Sequence, residues 1–188
     1  ADFIARDRFQ LITAEVLEVG KPWSEADGDI AEAIDFCRYY SDQMELLAPP
    51  RLTQKVAGET SHYLYHPRGV CAVIAPWNFP LAILTGMVTA ALVTGNTVLM
   101  KPAQQSSMVG ALLMNLLLEA GVPPQVVQFL PGLGEDIGEY MVTHKDVAMI
   151  AFTGSREVGL HILEKSAQVP RGQTHVKNAS LKWVAKTP

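Results

Sequence analysis

The sequence predicts an α/β protein built on a doubly wound parallel sheet, with helices ahead of it. Three observations predict this. Residues 70–75 and 97–100 are short apolar runs without polar alternation, the pattern of strands buried on both faces, and 126–130 and 147–152 read as a third and a fourth strand. Helix-length segments separate these runs, as in βα units. Glycine, proline and polar residues gather where each run stops, and open α/β sheets bind ligands at the carboxyl ends of their strands.

The elements follow in order. Phe3, Ile4, Phe9, Ile12, Val16 and Val19 lie close to helical spacing, and Gly20-Lys21-Pro22 supplies a left-handed cap and a stop. Ser24 and Asp27 are spaced for a capping box on a second helix. That helix carries Ile30, Ile34, Cys37, Met44 and Leu47 on one side and ends at Pro49-Pro50. A first helix with no lead-in suggests a chain that begins partway through a larger protein. Residues 51–67 are polar, and His62-Tyr63-Leu64-Tyr65-His66 reads as an exposed or edge strand. The stretch 69–102 organises the rest as strand, helix, strand. Its first run stops at Pro76-Trp77-Asn78-Phe79-Pro80, the segment 81–94 closes on Gly95-Asn96, and the second run ends on Lys101-Pro102. A helix over 106–120 ends at Gly121, and a third strand over 126–130 leads into Pro131-Gly132-Leu133-Gly134. A short helix over 137–142 and a fourth strand over 147–152, ending in Thr153-Gly154-Ser155, precede a last helix over 156–168. The βα alternation is the one internal regularity.

Composition excludes several classes. With 48% hydrophobic and 18% charged residues the chain is an ordinary globular one, long enough for one sizeable core. A net charge of −4 leaves no basic footprint for nucleic acid. No apolar run reaches the roughly 18 residues of a membrane span, and no basic start precedes an apolar signal core. Two cysteines do not make a disulfide framework, so a reduced, cytoplasmic setting is expected.

Several residues carry chemistry or a plainer role. Gly132-Leu133-Gly134 with Gly138 approximates a dinucleotide fingerprint, but the third glycine falls one position late, and a tight strand-to-helix turn explains it as well. Thr153-Gly154-Ser155 through Gly159 follows a buried strand and opens a helix, so its N–H groups would face an anion; a plain N-cap serine fits equally. Lys101 ends a buried strand, an unusual place for an ammonium without a ligand or carboxylate. Asn78 offers either a turn residue capping a helix or an amide donor to an oxyanion, worth ~3 kcal/mol in such sites. Cys37 on a helix face and Cys71 within a strand read as core. The five histidines form no ligand set; His62 and His66 lack cysteine or carboxylate partners, so no metal site is expected.

Three of these stretches together resemble the cofactor-domain motifs of the aldehyde dehydrogenase superfamily, in family order and spacing. They are Ala75-Pro76-Trp77-Asn78-Phe79-Pro80, then Gly95-Asn96-Thr97-Val98 with Lys101-Pro102-Ala103, then Phe152-Thr153-Gly154-Ser155 with Glu157-Val158-Gly159. The resemblance runs to about Lys177. It implies a Rossmann-like domain binding NAD, with NADP as the alternative. The implied cofactor-binding residues are Ala75, Pro76, Trp77, Lys101, Gln104, Gly134, Gly138, Phe152, Thr153, Gly154, Ser155 and Val158, with Asn78 catalytic. Lys101 is implied to hold the adenosine ribose; Gln104 stands where relatives often have glutamate, leaving NAD against NADP open. The wording over 79–86, 129–138 and 171–177 is most similar to the branch that oxidises glutamate semialdehyde (pyrroline-5-carboxylate) to glutamate in proline breakdown.

Beyond Lys177 the resemblance implies a strand ending in a glutamate base and paired glycines, and the chain reads Asn178-Ala179-Ser180-Leu181-Lys182-Trp183 instead. Neither that base nor the cysteine nucleophile has a counterpart. The expectation is a helical segment over 1–50, a partial NAD(P)-binding domain over 51–177 and a divergent tail over 178–188. Only four strands are expected in the sheet, with apolar surface exposed where a catalytic domain would dock. Such a fragment of an NAD(P)-dependent dehydrogenase would be inactive alone and part of a homo-oligomer acting on a small aldehyde. A non-catalytic nucleotide-binding or interaction module, or a remnant that only assembles, are the alternatives.

Overall fold

The computed structural model describes residues 1–183. The order of elements is α1 (Asp2–Arg6), α2 (Arg8–Val19), α3 (Trp23–Leu47), β1 (Arg51–Val56), β2 (Glu59–Tyr63), β3 (Val70–Ile74), α4 (Ala82–Val93), β4 (Thr97–Lys101), α5 (Ser107–Glu119), β5 (Val127–Phe129), α6 (Glu139–Thr143), β6 (Val147–Gly154), α7 (Arg156–Ser166) and β7 (Asn178–Trp183). Strands β3 to β7 form one sheet in the order β5-β4-β3-β6-β7, every neighbouring pair parallel. This is the doubly wound architecture the apolar runs predict.

The sheet has five strands rather than four. Residues of β7 pair in parallel with β6 from Met149↔Asn178 to Gly154↔Trp183. The stretch lacks the expected motif but retains an alternating pattern, with Ala179 and Leu181 half-buried and Leu181 packed beneath α7's side of the sheet. Residues 184–188 of the expected tail lie outside the described residues.

Helix starts and stops follow local chemistry only in part. Gly20 ends α2 in the left-handed conformation at φ 67°, as the sequence predicts. The single helix expected over 3–19 is broken at Asp7, whose φ of −95° and ψ of 18° leave the helical region. Arg6 bridges Asp7 and Glu119 there, tying the break to the end of α5. The predicted capping box does not form: α3 starts at Trp23 after Pro22 with no side-chain cap, and Asp27 pairs with Arg8 at 2.6 Å.

Strands β1 and β2 are an antiparallel hairpin outside the main sheet, closed over Ala57-Gly58 with Gly58 at φ 81°. The strand ends at Tyr63, so the expected strand over 62–66 is half realised, and Leu64 and Tyr65 are exposed beyond it.

Alternate side chains of the sheet feed two cores. Cys71, Val73, Val98, Met100 and Ala151 face a large core closed by α1 to α5. Ala72, Ile74, Ile150 and Phe152 face a smaller one under α6 and α7. Both faces being apolar is why the runs show no polar alternation. Among the described residues no helix is long and apolar enough to cross a membrane.

Candidate functional site

Chain order reverses across the sheet between β3 and β6, so the helices after these strands diverge and leave a crevice at their carboxyl ends. Three of the predicted positions, Gly134, Gly138 and Val158, meet around it. A cavity of about 410 Å³ lies there, with Ile74, Val142, Val158 and Ile162 as apolar wall and Gly134 and Gly138 on its far side. Gly134–Gly138 is a π-helical turn running directly into α6, so the near-fingerprint of glycines is a strand-to-helix turn that also lines the cavity.

Lys101 lies beside this region, next to Gly138. It is 4% exposed, and its Nζ donates to the carbonyl of its neighbour Pro102 at 3.4 Å. No carboxylate among the described residues lies within ion-pair distance. Burial pulls its ammonium below the usual lysine value, the expected result of placing a cation where nothing balances it. A Cβ added at Gly138 would stand 3.7 Å from Lys101 Cε, so the lysine stem passes directly beneath the glycine that borders the cavity.

The other predicted residues divide. Ser155 is the N-cap of α7, its Oγ accepting from the Val158 N–H at 3.3 Å, so the plainer reading of this serine is realised. Its hydroxyl proton remains able to donate outward. Phe152 is buried in the smaller core, its ring close beside Gly154 and Gly159. The Thr153 hydroxyl turns away to Met87 Sδ at 3.7 Å. Ala75 is buried and its N–H donates to Lys101 O at 3.2 Å, locking the ends of β3 and β4 together. Gln104 is exposed in a short 3₁₀ turn between β4 and α5. Trp77, at 51% exposure, and Asn78 stand on an exposed loop past β3.

Asn78 does not cap α4. The caps come from Asp29 on α3, whose Oδ2 and Oδ1 accept from the N–H groups of Leu81 at 3.3 Å and Ala82 at 3.1 Å. Sequence reasoning missed Asp29 because it lies about fifty residues upstream. It also missed the charged rim of the cavity: Glu135, Glu139, Glu157 and His161. His161 Nε2 meets Glu139 Oε2 at 2.6 Å, and this hydrogen bond is the main reason the Glu139 carboxyl sits below its usual value. The Glu157 and His161 pair is four apart on α7, a visible spacing, but their partner across the crevice is not visible.

Neither cysteine is poised for nucleophilic attack. Burial pushes the Cys71 thiol up to about 11, and Cys37 packs against the large core. Among the described residues no three His, Cys, Asp or Glu side chains are placed to share a metal ion.

Comparison with known proteins gives consistent findings. The sequence profile described as "Aldehyde dehydrogenase family" matches residues 1–186. The chain is 46% identical to 1-pyrroline-5-carboxylate dehydrogenase 2 of Halalkalibacterium halodurans over 186 residues, covering 99% of the chain and 36% of that protein. It is 47% identical to 1-pyrroline-5-carboxylate dehydrogenase of Bacillus licheniformis, covering 93% of the chain and 34% of the relative. Among solved structures, 1-pyrroline-5-carboxylate dehydrogenase from Thermus with bound NAD superposes with a TM-score of 0.96 at 44% identity, over 98% of the chain and 36% of that structure. Proline utilization A from Bdellovibrio bacteriovorus, inactivated by N-propargylglycine, gives a TM-score of 0.96 at 60% identity, over 98% of the chain and 19% of that structure. The chain thus spans about a third of the length of the curated relatives it matches.

Proposed function

The chain belongs to the aldehyde dehydrogenase family, and on that premise we propose that it supplies the nucleotide-binding part of an NAD-dependent dehydrogenase oxidising glutamate semialdehyde to glutamate. The observation that carries this reading is Lys101: a buried ammonium without a balancing carboxylate among the described residues, at the carboxyl end of a strand beside the crevice. A vicinal diol, such as that of a nucleoside ribose, gives this cation the acceptors that its own surroundings withhold. The apolar wall of Ile74, Val158 and Ile162 suits a flat heteroaromatic base, and the N–H groups opening α7 suit the phosphates. The chemistry such a cofactor would supply when bound is a hydride acceptor for the carbon being oxidised.

In this reading Asn78 donates a side-chain N–H to the oxygen that gains charge as a thiolate adds to the aldehyde, lowering the barrier by ~3 kcal/mol. No residue of the chain is assigned as nucleophile or base. NAD is the form assigned, because Glu135, Glu139 and Glu157 on the rim disfavour a further phosphate; Gln104, exposed and neutral, is the position at which tolerance of NADP would be decided. We also assign a cytoplasmic homo-oligomer. The exposed hairpin β1–β2, with Leu52, Val56 and Tyr63 uncovered, supports association, since a lone two-stranded hairpin is marginal in water.

Titration of NAD and, in parallel, NADP into the purified chain tests the reading, with Lys101→Ala as control. Saturable NAD binding is expected, weakened about tenfold or more by the substitution, which corresponds to ~1.4 kcal/mol. A chain folded by circular dichroism that binds no NAD would overturn it.

A further inference from the structure

Beneath the Asn78 loop lies a buried charge cluster that the nucleotide cleft does not use. Lys21, in the turn between α2 and α3, is 7% exposed. Its Nζ stands 3.4 Å from Asp29 Oδ2 and 3.8 Å from Glu15 Oε2, and both carboxylates are fully buried. Burial first, and Asp29 second, push the Glu15 carboxyl up to about 9. Buried ion pairs of this kind contribute little to stability for their desolvation cost. Their geometry contributes direction.

Lys21 and Asp29 both reach out of the cluster to one stretch of chain, at Phe79 and at Leu81-Ala82. Asp29 accepts from the N–H groups of Leu81 and Ala82 and so fixes the start of α4, where no side chain of the helix itself caps. Lys21 Nζ lies 4.1 Å from the centroid of the Phe79 ring, over its face. Asn78 sits immediately before Phe79, and Trp77, Asn78 and Phe79 are all exposed. Pro80 and Leu81 are buried, so the loop's downstream anchor is the end that Asp29 caps. We propose that Lys21 and Asp29 are positioning residues that set the orientation of the 77–80 loop and through it the Asn78 amide, an assignment whose catalytic meaning rests on the dehydrogenase reading above. An oxyanion donor acts only if held within a few tenths of an ångström of its productive place, and an exposed loop does not hold itself there.

The test is nitrogen-15 NMR of the chain, reading the Trp77 indole N–H and the Asn78 side-chain amide, with the Trp183 indole as a distant reference. Lys21→Met is expected to shift and broaden the Trp77 and Asn78 signals while Trp183 stays in place, and Lys21→Arg to restore them by returning a cation to the Phe79 ring. Phe79→Leu is expected to reproduce the Lys21→Met spectrum, and the two together to add nothing further. Unmoved Trp77 and Asn78 signals in a folded Lys21→Met protein would overturn the proposal. Should Lys21→Met not fold, Asp29→Asn keeps the volume and one acceptor; faster hydrogen exchange at Leu81 and Ala82 with displaced Asn78 signals supports the assignment, and unchanged exchange and signals overturn it. NAD titration of the same samples separates the two ideas. Absent binding in every sample sinks the dehydrogenase reading, while the loop signals still decide the positioning role.

Discussion

The two faces of the sheet are built from the same strands and differ in how completely they are covered. On one face α1 to α5 close a continuous core around Leu84, Val88, Met100 and Leu113, all fully buried. On the other, only α6 and α7 sit over Ala72, Ile74, Ile150 and Phe152, and the cavity at the crevice opens between them. The incompletely covered face is where the candidate nucleotide site lies. A site for a flat ligand needs a wall that folding leaves unfilled, and the tightly packed face supplies the stability that permits it.

The sharpest way to break this comparison is to remove the same kind of side chain from each face. Leu84→Ala deletes a fully enclosed side chain and is expected to cost about 3–4 kcal/mol, because its surroundings cannot collapse to fill the void. Ile162→Ala on α7 enlarges a cavity already open to solvent and is expected to cost about 2 kcal/mol. Urea denaturation of both measures the difference. Equal losses would mean that the cavity-bearing face is as tightly packed as its opposite.

A smaller effect concerns the edge of that face. A Cβ at Gly159 would lie 2.9 Å from Trp183 Cε3 and 3.3 Å from Phe152 Cε1, so α7 and β7 meet closely only because this position is glycine. Gly159→Ala is expected to lose about 1 kcal/mol and to displace the half-exposed Trp183 ring, seen as a change in its indole signal and faster hydrogen exchange along β7. An unchanged Trp183 signal would show that β7 does not dock as described.

What the sequence made legible, and what it did not, follows the same division. The apolar runs announced both faces because burial on two sides removes polar alternation, and Gly20 announced a helix end because its backbone conformation demands glycine. Lys101 was legible as an unbalanced cation from its place at the end of an apolar run. Long-range partners were not legible. The caps on α4 come from Asp29, the break at Asp7 is held by Glu119 at the far end of α5, and the charged rim of the cavity assembles from α6 and α7 only in three dimensions. The fifth strand was missed for another reason: Asn178–Trp183 departs from the family's wording but not from the alternation that a sheet edge requires.

The last expected effect lies on the well-covered face and is electrostatic. Glu15 on α2 is fully buried, faced by Lys21 from the α2–α3 turn and Asp29 from α3, and its carboxyl is pushed up to about 9 by burial and then by Asp29. In the unfolded chain the same carboxyl titrates near its ordinary value of about 4.3. Between these values the folded protein holds a proton that the unfolded chain has released, so stability must fall as pH rises through this window. The contribution is fully present below the unfolded value and is lost as pH passes the folded one. Carboxylates nearer the surface such as Asp7, Asp27 and Glu119, held low by arginine partners, have the opposite sign and act only at acid pH. Glu15→Gln keeps the shape and cannot ionise. Urea midpoints at pH 5, 7 and 9 are therefore expected to fall less steeply for Glu15→Gln than for the parent chain, with the two closest at pH 5. Parallel profiles would mean that Glu15 is ionised in the fold and that Lys21 faces two carboxylates rather than one.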